Sequence, residues 1–287
     1  MTAGVRRPRT AATPFPVVGA LTVGHGKVPR MRDADATLSL PPRRYLGWEL
    51  VAVLGVSLGA SGVNALLSLI GSLLARQSLA SQQALLVGPL SANHSFDLVL
   101  QLVAIAEALM PVVLVLYLMA RSGEPPSVMG LDGREPVRDV VRGIVVAAII
   151  GGAGLGLYIG AFQAGISLHI VPESLPAVWW RIPVLLLSAA HNGILEEILV
   201  IGYLLRRLDQ LGWRPWQAIL ASAVLRGSYH LYQGFGAFIG NAVMGVIFCL
   251  LYRRWGRVMP LIVAHSLIDA VTFVGYVALV HKVSWLP

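Results

Sequence analysis

Residues Pro183–Leu205 read PVLLLSAAHNGILEEILVIGYLL. As a helix this stretch is long enough to cross a hydrocarbon core of about 30 Å. It nevertheless carries two adjacent carboxylates, Glu196 and Glu197, near its middle. One carboxylate at bilayer depth costs about 2.5–3.5 kcal/mol on insertion scales, and two neighbours also repel each other. Such a segment is tolerated only where other helices cover the pair and bring it polar partners. The stretch therefore calls for a helical bundle built around it.

The rest of the chain supplies that bundle. Of 287 residues, 56% are hydrophobic and only 13% are charged. Soluble domains sit near ~25% charged, so a polytopic membrane protein is expected. The fold class is all-α, with about seven spans at 48–75, 96–120, 143–164, 183–205, 216–232, 235–252 and 258–280. The net charge of +8 does not point to nucleic acid, because the basic residues cluster at the ends of apolar segments. Eighteen of the 22 Lys and Arg fall in the stretches 1–47, 121–142, 206–215 and 253–257, every second connection and so all on one side of the predicted spans. By the positive-inside rule the N-terminus is cytoplasmic and, with seven spans, the C-terminus is outside. The expected location is a multi-pass integral protein of the plasma membrane.

Residues 1–45 read as a disordered basic cytoplasmic tail rich in Pro, Gly, Thr and Ala. The stretch TPFPVVGALTVG after Arg6, Arg7 and Arg9 is short and broken by Pro14 and Pro16, so no cleavable signal peptide is expected. Residues 46–182 would form the N-terminal transmembrane helices, and 183–280 the helices that carry the chemistry. The segment 76–95 reads as lying along the outer interface, and Trp179 and Trp180 beside Arg181 read as an interfacial belt. The lone Cys249 reads as a small core residue. The run GGAGLGLYIG at 151–160 lies within a span and reads as a packing surface, not a nucleotide loop.

Ionisable groups within the spans are few: Glu107, His191, Glu196, Glu197, Arg226, His230, His265 and Asp269. They should point into the bundle or into a wet cavity. Asn192 and Glu196 are four apart on one helix face, so Asn192 could donate to that carboxylate. Glu197 is rotated from Glu196 by about 100°, so the two cannot do the same job. Arg226 and His230 share a face on the fifth span, as do His265 and Asp269 on the seventh. Convergence of the three pairs gives a low-dielectric pocket suited to general-base catalysis on water. Two His and a Glu could equally hold a zinc ion with a water position open, although no His-Glu-x-x-His helix is present. The residues leave both readings open.

In this order the motifs resemble those of the CPBP (Abi) family of intramembrane proteases, which includes the type II CAAX prenyl endopeptidases. That family shows EExxxR, FxxxH and HxxxN/D on successive helices. Here the first motif is Glu196-Glu197 followed by Ile201, the second is Arg226 through His230, and the third is His265 through Asp269. The resemblance spans about 183–275. It implies an intramembrane endopeptidase acting on a membrane-associated protein or lipid-modified peptide. By the same resemblance Glu196 is the base that activates water, and His230 and His265 assist. Glu197, Arg226, Asp269 and Asn192 are supporting residues, and the metal set, if one is used, is Glu196, His230 and His265. Two positions depart from the pattern: Ile201 stands where the family has Arg, and Arg226 where it has Phe. One reading is an exchange, with the cation supplied from the fifth span. The other is a decayed site on a membrane scaffold or immunity factor. A proton-coupled transporter is the third class, disfavoured by the lack of an inverted repeat.

Overall fold

The computed structural model describes residues 42–279 and Lys282. The expected basic tail lies outside the described residues, apart from its last few positions. There helix α1 (Arg43–Gly55) begins, two residues before the expected boundary. The chain continues through α2 (Leu58–Leu74), strand β1 (Gln83–Val87), α3 (His94–Ala108), α4 (Met110–Arg121) and α5 (Pro136–Gln163). Strand β2 (His169–Glu173) follows, then α6 (Arg181–Glu196), a π-helical segment (Glu197–Tyr203), α7 (Leu204–Gln210), α8 (Pro215–Ser228), α9 (Phe235–Trp255) and α10 (Met259–Leu279).

Among the described residues, five continuous helices are long and apolar enough to span a membrane: His94–Arg121, Pro136–Gln163, Arg181–Gln210, Phe235–Trp255 and Met259–Leu279. The pair α1–α2 makes a sixth if its 48° bend is taken as one broken span. The chain is a multi-pass membrane protein. The expected count of seven is reduced at 216–232. That segment forms the 14-residue α8 and then leaves the helix at Tyr229, where a 3-10 turn at Leu231–Gln233 takes over. At ~1.5 Å per residue, 14 residues reach only about 21 Å. The α1–α2 bend falls where Gly55 and Gly59 weaken the helix, and Ser57 Oγ donates to the Val53 carbonyl at 2.6 Å.

The expectation of helix alone meets an exception. β1 and β2 pair in parallel, with Gln83 opposite His169 and Val87 opposite Glu173. The segment expected to lie along the interface thus contributes a strand of this small sheet. Trp180 is also corrected. It is buried beside Val184, Leu185 and Phe273, while Trp179 remains exposed. A neighbouring ion pair between Arg181 and Glu173 fastens β2 to the start of α6. Glu107, expected to face inward, is exposed on α3.

The core surrounds the π segment, where every residue from Glu197 to Leu205 is buried. At the opposite end from the sheet, the Arg-rich connections meet. Arg207 Nε bonds Glu49 Oε1 at 2.9 Å, and Arg206 and Arg207 both pair with Glu124. Arg253 bonds Asp209 at 2.9 Å, and Arg257 bonds Asp132 at 2.9 Å and Asp139 at 2.6 Å. The alternation of basic loops along the sequence therefore appears in space as one basic end.

Candidate active site

Close helix packing creates the site. A Cβ added at Gly193 on α6 would lie 2.9 Å from the backbone nitrogen of Ser266 and 3.0 Å from the Ile262 carbonyl on α10. Only glycine permits that approach, and it brings the end of α6 against His265. A Cβ at Gly245 on α9 would lie 3.1 Å from Ala223 Cα and 3.3 Å from Arg226 Cδ on α8. This second close approach presses the fully buried Arg226 toward the carboxylates. Ser222 on α8 donates to the Val200 carbonyl at 3.0 Å, joining α8 to the π segment. The π segment begins at Glu197, and such insertions often accompany functional sites.

The two carboxylates have different surroundings. Glu197 is completely enclosed. Its Oε1 accepts from Arg226 Nη2 at 2.7 Å and lies 2.7 Å from His265 Nδ1. Glu196 lines a cavity of about 1390 Å³, together with Asn192, Tyr229, His230, His265 and Asp269. Its Oε2 accepts the Tyr229 hydroxyl at 2.6 Å, with Arg226 Nη1 at 3.5 Å. One guanidinium thus bridges both acids. Cationic side chains this deep persist when paired and hydrogen-bonded.

The imidazoles are oriented by their partners. A carboxylate only accepts, so His265 Nδ1 carries the hydrogen toward Glu197. Its Nε2 lies 4.0 Å from Glu196 Oε2 and 3.9 Å from Asp269 Oδ1. Neither is a hydrogen bond, but one water can reach two atoms at that separation. His230 lies just past the end of α8. Its Nδ1 is 3.0 Å from the Arg226 carbonyl, which leaves Nε2 as the free ring nitrogen. Asn192 does not bond Glu196, as its spacing on α6 suggested. Its Nδ2 donates instead to Asp269 Oδ2 at 2.9 Å, because the close α6–α10 contact places that acid nearer.

Residues 178–271 match the Rce1-like type II CAAX prenyl endopeptidase family. The match to the Rce1-like family runs from just ahead of α6 into α10 and takes in Glu196, Glu197, Arg226, His230, His265 and Asp269. No curated protein and no solved structure matches the chain.

Tyr229 is the residue that sequence reasoning missed. It follows Arg226 by three positions on the same helix face, and that spacing was the available signal. His191 and Asn241 also line the cavity. Among the described residues, no group of three or more His, Cys, Asp and Glu side chains is arranged to hold a metal ion.

Proposed function

We propose that this chain is an intramembrane endopeptidase that uses Glu196 to activate water against a peptide bond in a membrane-associated protein or lipid-modified peptide. The carrying observation is the asymmetry of the acid pair: Glu196 faces the cavity with His230, His265 and Asp269, while Glu197 is sealed behind it with Arg226. Water between Glu196 and His265 Nε2 would give its proton to the carboxylate as its oxygen attacks the scissile carbonyl. With both Nδ1 hydrogens already donated, His230 and His265 would meet the tetrahedral oxyanion only as imidazolium rings carrying a second hydrogen on Nε2, beside the Asn192 amide. Glu196 would then return the proton to the departing amine. Glu197 holds His265 in place, and Arg226 offsets one of the two charges of the acid pair. No step passes through a metal. The proposed setting is the plasma membrane, with the basic end cytoplasmic.

The resemblance to CAAX endopeptidases favours a substrate whose lipid anchor enters the cavity from the bilayer. The competing reading, a non-catalytic membrane scaffold or immunity factor, is favoured by Ile201, fully buried where the family has Arg. Purified protein in liposomes, with membrane-tethered peptides carrying or lacking a lipidated C-terminal cysteine, separates the two. Cleavage should fall by about 10²–10⁴ in Glu196→Gln and His265→Ala and be unchanged by a zinc chelator. Equal inertness of wild type and folded variants would favour the scaffold.

A further inference from the structure

At the basic end, the start of α5 and the end of α9 flank a cleft of about 310 Å³ lined by Glu135, Arg138, Arg142, Arg254 and Trp255. Its charge differs from that of its surroundings. Nearby, Arg257 faces Asp132 and Asp139, Arg207 faces Glu49 and Glu124, and Arg253 faces Asp209. In the cleft, three guanidiniums stand beside one acid, and two of them pair with it. Arg138 lies 3.1 Å from Glu135 Oε2 and Arg142 lies 3.9 Å from it. Arg254 makes no ion pair among the described residues. An excess of positive charge is left over.

The cleft is also shaped. The Arg142 guanidinium stacks over the Trp255 ring at 4.8 Å, which fixes one cation against a rigid wall. Tryptophan at the end of a spanning helix sits at headgroup level. Below the arginines, α5 exposes Val141, Ile144 and Val145 toward the bilayer, so a phosphate in the cleft would continue into acyl chains along that face. Basic pockets between spanning helices are suited to anionic headgroups.

We infer that this cleft binds the phosphate of an anionic phospholipid, with Arg138, Arg142 and Arg254 as its cationic partners and Trp255 as its wall. A free phosphate shares the same chemistry, and the apolar face of α5 assigns the ligand to lipid. Neither the three arginines nor Trp255 lines the proposed catalytic cavity, so the inference stands or falls independently of protease activity.

The test is native mass spectrometry of the full chain released from nanodiscs of phosphatidylcholine containing phosphatidylglycerol. Wild type should retain phosphatidylglycerol preferentially. Arg138→Gln with Arg254→Gln should weaken that retention roughly 30-fold, or about 2 kcal/mol at ~1 kcal/mol per basic residue. Glu135→Gln removes the cleft's acid and should strengthen it. Equal retention by wild type and the double variant overturns the site. So does a Glu135→Gln protein that binds no more tightly, a result that stands even if the double variant unfolds. In a second arm, inorganic phosphate at matched concentration should leave the lipid bound, and displacement would overturn the lipid assignment.

Discussion

Glu197 Oε1 takes Arg226 on one side and His265 on the other, and Glu196 Oε2 takes Tyr229 with Arg226 further away. Removing Arg226 leaves two buried acids without their cation, a change that typically costs about 3–5 kcal/mol. Arg226→Phe should therefore lower the unfolding temperature sharply in detergent. The family pattern suggests the remedy. Ile201 lies four residues beyond Glu197 and five beyond Glu196, inside the π segment, where an i to i+5 repeat places it close to the pair. Combining Ile201→Arg with Arg226→Phe should recover at least half of the lost stability in the same melt, and no recovery would refute the exchange of positions. Tyr229→Phe is milder. It deletes a donor to a buried carboxylate, worth about 1–3 kcal/mol, and should reduce kcat about tenfold or more while leaving KM for a cleaved peptide nearly unchanged. Arg226 was legible because an Arg within a span requires a partner. Tyr229 was not, since its spacing from Arg226 places it on the same helix face but does not show that its hydroxyl meets an acid 33 positions away.

Elements place these residues by approach distance, which sequence periodicity does not report. The α6–α10 contact depends on Gly193, and a larger side chain there must push the Ser266 backbone away. Gly193→Val should destabilise by about 1–3 kcal/mol and abolish cleavage in the peptide assay without touching any polar group. α8 shows where a hydropathy window misleads. The window continues through Tyr229–Gln233, but His230 and Gln233 line the cavity and Leu231–Gln233 form a 3-10 turn, so the helix stops short of a full span. α3 gives the reverse case. Glu107 sits in an apolar helix just before Pro111, which cannot donate the helical bond to its carbonyl, and its side chain is exposed instead of inward. An exposed carboxyl at that depth is costly. Glu107→Leu should raise thermal stability by about 2–3 kcal/mol, and a loss on the same measurement would show that the acid has a partner.

Across the whole molecule, the apolar segments, the basic loops and the ionisable groups within the spans were readable in the sequence, because each follows from the cost of placing charge or bare backbone in lipid, whereas the Asn192–Glu196 pairing was not, since Asn192 bonds Asp269 across the α6–α10 contact. The β1–β2 pairing was hidden, since weakly apolar five-residue strands resemble interfacial loops. The ion pairs that join the basic end were hidden too. Glu124 and Arg207 are 83 positions apart, and only the tertiary fold shows that they meet. That end gives the molecule a defined response to acid. Burial alone would push the Glu124 carboxyl up, but hydrogen bonds and charge from Arg207 and Arg206 outweigh it and hold the carboxyl below the ordinary glutamate range. The Arg134 backbone N–H, followed by Arg257, likewise lowers Asp132. A carboxyl whose folded pKa is depressed binds fewer protons folded than unfolded, so its stabilisation is complete above the ordinary carboxylate range and is lost as pH falls through the folded value. The unfolding temperature in detergent should therefore be flat near neutrality and decline below about pH 5. Glu124→Gln should start from a lower plateau and decline less over the same interval, because it has already lost the linkage that acid removes. Parallel curves for wild type and variant would show that the Glu124–Arg206–Arg207 cluster does not carry the acid response.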